Sequence, residues 1–284
     1  MLTKKKRDEM KYKITKNCIE IQGKDDFSAK DILECGQIFA FNKTEKGYVV
    51  FSLDKKAEIV ETETGFKIIT CDTKYFENFF DLKTDYGLIK SRLSKFKILE
   101  NPIKFGHGIR ILKQDLFETL ISFIVSANNN IKRIQLILNR LREKLGKNMG
   151  DYYAFPTQEK LLSVDEQFFK DIGAGYRASY LYKVVRQVNE KTLESWRELP
   201  TKELRNKLIA LSGVGPKVAD CVLLFGYGKK DVFPVDTWIN QMYNKFYKPL
   251  DNREKIRENL VNEFGELSGY AQQYLFFSMR EKAN

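Results

Sequence analysis

Lys217 stands in the run Gly213-Val214-Gly215-Pro216-Lys217, between an amphipathic segment and an apolar one. A lysine amine held in a fixed turn can attack an electrophilic carbon and remain attached as an imine, which is Schiff-base chemistry. Two glycines two apart permit a tight turn and close backbone approach. Pro216 suits a first helical position, where its missing N–H costs nothing, and the N–H groups of that helix start are free for a phosphate. Lys217 then falls in the first helical turn, where the positive end of the dipole disfavours a cation and so favours the neutral amine a nucleophile needs. The same placement also serves a lysine that only holds a DNA phosphate, and the pentapeptide leaves both roles open. Further on, Phe233-Pro234-Val235-Asp236 precedes the apolar-periodic Trp238, Ile239, Met242 and Tyr243. Asp236 is therefore a helix N-cap by pattern. A capped carboxylate is held rigidly, where it can stabilise positive charge on a sugar ring and handle the lysine proton.

Such residues need a helical frame, and apolar periodicity supplies one over most of the second half. Helices are expected at 116–127 (nearly uncharged, hence buried), 131–145 (amphipathic and basic), 158–164, 166–172, 178–189, 201–209, 216–225, 237–246, 252–264 and 269–280. The pair flanking Gly213 makes a helix-hairpin-helix at about 204–226. Residues 11–71 are mostly extended, with a short helix at 28–35. Runs at 38–42, 47–53, 57–62 and 66–71, separated by turn-forming residues, predict an antiparallel meander. Residues 72–96 read as one helix with Tyr75, Phe76, Phe79 and Phe80 on its apolar face. The character changes after Asn101-Pro102, so the expected division is a basic flexible tail at 1–10, an α/β part at 11–105 and a helical part at 106–284.

The totals favour a polyanionic partner. Lys and Arg number 49 against 38 Asp and Glu, a net charge of +11, and each neutralised phosphate releases counterions. A single histidine, His107, leaves little scope for a histidine-built metal site or a Ser-His-Asp apparatus. Four scattered cysteines (Cys18, Cys35, Cys71, Cys221) show no metal spacing and are expected reduced. With no signal core or membrane-length apolar run, an intracellular, cytoplasmic or nucleoid-associated protein is expected, with no membrane partner.

Leu211 to Cys221 (LSGVGPKVADC) followed by Pro234-Val235-Asp236 resembles the signature of the helix-hairpin-helix–Gly/Pro-Asp DNA glycosylase superfamily. The likeness is greatest to 8-oxoguanine DNA glycosylase/AP lyases, and it extends to CGQIF at 35–39, GIRILKQD at 108–115, SANNNIKRI at 126–134, GAGYR at 173–177 and AQQYLF at 271–276. The resemblance implies an α+β fold: an N-terminal antiparallel-sheet (TBP-like) domain, then a mainly α-helical glycosylase domain. It implies that Lys217 attacks C1′ of a damaged nucleotide, expels the base and leaves an imine open to β-elimination, with Asp236 as catalytic aspartate. It implies base recognition by Gly36, whose carbonyl would accept the N7–H that distinguishes 8-oxoguanine, by Gln272 at the base edge, and by Phe276 and Cys221 as the two walls. Asn128, Arg133 and Arg177 match residues that probe the orphaned opposite base, and Tyr176 a wedge at the extrusion site. Their bland alternatives are a helix cap, phosphate contacts and core packing. Gly213, Gly215 and Trp238 match contacts to the DNA backbone. A cation held by the carbonyls of Ile209, Leu211 and Val214 is a further carry-over, but no cofactor is required. The implied partner is damaged double-stranded DNA, bound by a monomer.

Two positions depart from the pattern: Trp238 stands where many relatives have histidine, and Ala40 where arginine is frequent. The rival readings are a non-catalytic helix-hairpin-helix DNA-binding protein, a monofunctional alkyl-base glycosylase without the lysine, and an endonuclease III-like enzyme. The last normally carries a four-cysteine iron–sulfur loop, whereas Cys221 is the only cysteine after position 71.

Overall fold

The computed structural model describes residues 10–281, so the basic tail expected at 1–10 lies, apart from Met10, outside the described residues. Six antiparallel strands, β1 (Lys11–Ile14), β2 (Cys18–Gln22), β3 (Phe41–Thr44), β4 (Gly47–Ser52), β5 (Lys55–Glu61) and β6 (Gly65–Ile69), lie in the order β1-β2-β6-β5-β4-β3. The last four are the expected meander, and the first hairpin is added at its β6 edge. Alternation decides the buried face: Ile19 and Ile21, Val50, Ala57 and Ile59, and Phe66 and Ile68 point inward. Covering that face are α1 (Ala29–Glu34) and α2 (Thr73–Phe79), through Ile32, Leu33, Phe76 and Phe79.

The helix expected over 72–96 is two helices. It stops after Phe79, and α3 (Tyr86–Leu93) starts afresh from Asp85, whose carboxylate accepts the Leu88 N–H at 2.9 Å. Between them Asp81 adopts φ +51°, with its carboxylate bound by the Thr84 hydroxyl at 2.8 Å and Lys113 at 2.6 Å. Side-chain competition for local hydrogen bonds breaks the helix there. Asn101-Pro102 lies inside a short helix, α4 (Glu100–Phe105), whose first turn tolerates the missing proline N–H.

The remaining helices are α5 (Leu116–Ser126), α6 (Ile131–Leu145), α7 (Gln158–Leu162), α8 (Glu166–Asp171), α9 (Arg177–Gln187), α10 (Glu190–Ser195), α11 (Thr201–Ile209), α12 (Pro216–Phe225), α13 (Thr237–Phe246), α14 (Arg253–Phe264) and α15 (Ser268–Glu281). Of these α10 was not foreseen; Asn189 caps it through the Thr192 N–H at 2.8 Å. Every residue of α5 is buried, as its composition requires, and α12 and α15 share its core.

The extended segment before α5 is held by Arg110, a fully buried cation. Its guanidinium donates to the carbonyls of Phe80 (3.0 Å), Asp26 (2.9 Å), Thr84 (2.8 Å) and Asp81, and lies 4.1 Å from the Tyr86 ring centroid. Such a charge is tolerable in an interior only when its donors are satisfied in this way.

Candidate active site and nucleic-acid interface

The hairpin turn between α11 and α12 uses its two glycines differently. Gly213 sits at φ +80°, and a Cβ there would come within 2.6 Å of the Tyr180 Cβ, so both conformation and space demand glycine. Gly215, at φ −82°, has open space where its Cβ would be. What it offers is bare backbone at a helix N-terminus, suited to the close approach of a phosphate. Pro216 takes the first helical position, as the pattern predicts.

In the first turn of α12, the Lys217 Nζ lies 5.2 Å from the ring centroid of Phe123 on α5. Phe123 in turn stacks on Phe225 with centroids 5.5 Å apart. Cys221, one helical turn beyond the lysine, is buried, and that burial pushes its thiol up to about 11 against the opposing pull of Lys217. Asp236 caps α13, its Oδ1 accepting the Ile239 N–H at 2.9 Å. Desolvation lifts its carboxyl above the ordinary aspartate range, opposed first by the Ile239 N–H and then by Lys217. The helix cap and the electrostatic partner of the lysine are thus one carboxylate.

Both groups line a small cavity of about 30 Å³, together with Gly36, Cys221, Gln272 and Phe276. Gln272 is buried and its Oε1 has no hydrogen-bond partner among the described residues. A buried acceptor without a donor costs about 1–3 kcal/mol, so it is poised for one brought by a ligand. Gly36, at φ +81°, enters from the N-terminal part on a firmly clamped loop. The fully buried Gln37 donates to the carbonyls of Ile32 (2.9 Å) and Arg110 (2.8 Å) and accepts the Leu112 N–H (2.9 Å). From α15, Gln273 donates to the Cys35 carbonyl at 2.8 Å.

The cavity abuts a groove of about 1660 Å³, and Gly36, Lys217, Asp236 and Phe276 line both. Asn128, Lys132, Gly215, Trp238, Arg253 and Arg257 are on the groove walls. Among the described residues, no three His, Cys, Asp or Glu side chains group as metal ligands, and no helix is long and apolar enough to cross a membrane.

The profile of the 8-oxoguanine DNA glycosylase N-terminal domain matches residues 19–120, and that of the HhH-GPD superfamily base excision DNA repair proteins matches residues 121–266. The chain belongs to the HhH-GPD superfamily. A solved structure, the Clostridium acetobutylicum 8-oxoguanine glycosylase/lyase in complex with dsDNA containing cytosine opposite to 8-oxoG, is 39% identical. It matches over 98% of this chain and 99% of its own, with a TM-score of 0.89. A probable N-glycosylase/DNA lyase of Methanothermobacter thermautotrophicus is 32% identical over 70% of this chain and 72% of its own length. The N-glycosylase/DNA lyase OGG1 of Arabidopsis thaliana is 35% identical over 60% of this chain, and the match spans about half (52%) of the plant protein. The α+β fold expected from the resemblance, an N-terminal antiparallel sheet followed by a mainly helical domain, is the one observed, with six strands in the sheet.

Within this HhH-GPD protein the residues expected at the DNA divide into presented and inward-turned groups. Asn128 is exposed at φ +47° on the loop between α5 and α6, while Asn130, not Asn128, caps α6. Tyr176 is 55% exposed, so core packing does not describe it; its hydroxyl donates to the Ala127 carbonyl at 3.2 Å. Arg133 is exposed, with one contact to the Gly173 carbonyl at 3.4 Å. Arg177 is buried. Its donors are committed to the carbonyls of Ala127, Asn128 (2.7 Å) and Ala174 (3.3 Å), so here it braces the Asn128 loop and presents nothing to the groove. Of the suggested cation ligands, the Leu211 carbonyl already accepts the Val214 N–H at 3.1 Å. Ile209 ends α11, where helix carbonyls lack intrahelical partners. Sequence reasoning missed Phe123, Phe225 and Pro234 in the cavity wall and assigned no role to Gln37 or Gln273. The adjacent Gln272-Gln273 pair, on an otherwise apolar buried face, was the available signal.

Proposed function

We propose that this chain is a bifunctional DNA glycosylase/AP lyase that excises 8-oxoguanine, and formamidopyrimidine guanine, from duplex DNA. The carrying observation is the convergence on one small cavity of Lys217, Asp236, Gly36, Cys221, Gln272 and Phe276, contributed by separate segments of the chain. Lys217 Nζ attacks C1′ of the extruded nucleotide, the C1′–N9 bond breaks, and the base departs with its bonding pair and takes up a proton. Asp236 stabilises the positive charge that develops on the sugar and handles the proton lost by the amine. The C1′–O4′ bond then breaks, O4′ taking up the proton as the sugar ring opens to an imine; the imine loses a C2′ proton, and β-elimination expels the 3′ phosphate. A simple DNA-binding module could use this lysine on a phosphate and the aspartate as a cap, but it gives no reason for the two to share a cavity with Gly36 and Gln272.

Recognition follows the same walls. The Gly36 carbonyl accepts N7–H of the oxidised base; normal guanine has an acceptor there and leaves the carbonyl unsatisfied, a cost of about 1–3 kcal/mol. Gln272 Oε1 takes a donor from the base edge, while Phe276 and Cys221 flank its faces. A cavity of about 30 Å³ holds a water or two but no purine. Base entry therefore displaces part of the wall, on the side where the half-buried Phe276 borders both cavity and groove. Asn128, Arg133 and the Tyr176 wedge meet the opposite strand, with Arg177 positioning their loop, and Trp238 takes the place of a histidine contact to phosphate. A cation on the Ile209, Leu211 and Val214 carbonyls would brace the hairpin without entering the chemistry. The enzyme needs no iron–sulfur cluster or other cofactor, acts as a monomer and works inside the cell at the nucleoid.

The reading is tested by single-turnover release from duplexes carrying 8-oxoguanine, formamidopyrimidine guanine, an alkylated purine or undamaged guanine, each opposite the four bases. The two oxidised lesions should be released fastest. Preferential release of the alkylated purine would overturn the substrate assignment.

A further inference from the structure

The C-terminal helix extends the base-facing stripe by one more turn. Gln272, Phe276 and Arg280 are four residues apart on α15 and share a face. The Arg280 guanidinium lies 5.4 Å from the Phe276 ring centroid and donates through Nη2 to the Glu34 carbonyl. Its Nε and Nη2 also reach the Glu281 carboxylate at 3.2 and 2.9 Å. The remaining nitrogen, Nη1, is buried and has no partner among the described residues. A Cβ at Gly36 would fall 3.0 Å from Phe276 Cε1 and 3.1 Å from Arg280 Nη1, so ring and guanidinium together fill the space behind the glycine. With Gln273 on the Cys35 carbonyl, two donors of one helix grip the successive Glu34 and Cys35 carbonyls at the end of α1, just before Gly36. Arg280 also lines the groove. A buried donor left open lowers stability, and on the groove wall an incoming group can supply the missing acceptor.

We propose that Arg280 is a positioning residue for damaged-base recognition. It locks the Gly36 backbone and the Phe276 ring into a single surface, and Nη1 gains its acceptor when the nucleotide enters. This rests on the base-excision reading above and extends it to a side chain outside the catalytic pair.

The test compares two substrates in single turnover: a duplex with 8-oxoguanine, and one with a preformed abasic site, which presents no base to recognise. Arg280→Met should slow 8-oxoguanine release by at least about tenfold and narrow the preference over guanine, with abasic-site cleavage within about twofold of wild type. Arg280→Lys, which keeps a donor for the Glu34 carbonyl but no second arm, should recover part of the excision rate and little of the preference. Equal losses on both substrates would mean a general folding role and overturn the proposal, as would unchanged excision and preference. Wild-type protein that cleaves the abasic duplex but releases no 8-oxoguanine sinks the substrate reading instead, and this proposal with it.

Discussion

Asp236 carries two duties whose requirements conflict, and the conflict is measurable. As a cap it accepts backbone N–H groups, which favour the carboxylate; as a group at the cavity wall it is desolvated, which lifts its carboxyl. The ionised form is the one that can stabilise sugar cation character, so the excision rate should fall with acidity at a pH above the ordinary aspartate value of about 3.9. In Asp236→Asn that acid limb should vanish, with excision slowed far more than DNA binding is weakened. The stability sign is opposite. A carboxyl raised in the folded state contributes favourably when protonated, and that contribution is lost as pH rises through the folded value. Asn, which keeps the capping oxygen, should therefore melt no lower than wild type at neutral pH; a clearly lower melting temperature would contradict the desolvation argument. Lys217 and Asp236 were legible in the sequence because caps and glycine-proline turns are local grammar. The inward commitment of Arg177 was not, since the Ala127, Asn128 and Ala174 carbonyls that hold it leave no trace in residue types.

The hairpin makes a sharper test at the scale of the element, because its glycines look alike in sequence and differ in space. Gly213→Ala meets both a positive φ and Tyr180, and should cost more than about 1 kcal/mol of folding stability, read by denaturant unfolding. Gly215→Ala meets neither, so its stability should be unchanged while DNA binding weakens as a methyl enters the phosphate approach. Intact binding by Gly215→Ala would deny the hairpin its backbone-contact role. The helices at 201–209, 216–225 and 237–246 were readable to the residue because each begins at a proline or a cap. The break at 80–85 was not, because apolar periodicity continues across it; the Asp81–Thr84 bond and the Asp85 cap that make it are local, and the Lys113 contact to Asp81 only adds to them.

Over the whole molecule, the cavity is composite: Gly36 comes from the N-terminal part, Lys217 from the hairpin and Gln272 from the last helix. Arg110 ties the segment joining the two parts, and Arg110→Met would strand four carbonyls that now share its donors. A loss on the order of 3 kcal/mol or more is expected in urea unfolding, whereas a loss under about 1 kcal/mol would show those carbonyls to be satisfied otherwise. The fold class was readable from the alternation of the meander and the helical periods that follow; the cavity volume was not, since volume is a property of packing between distant segments. The central claim is that this assembly makes Lys217 a nucleophile, and borohydride reduction during reaction with an 8-oxoguanine duplex tests it most directly. Wild-type protein should be trapped covalently on the DNA, and Lys217→Gln should bind the same duplex without being trapped. Base release by wild-type protein with no trapped complex, or trapping that survives Lys217→Gln, would contradict it.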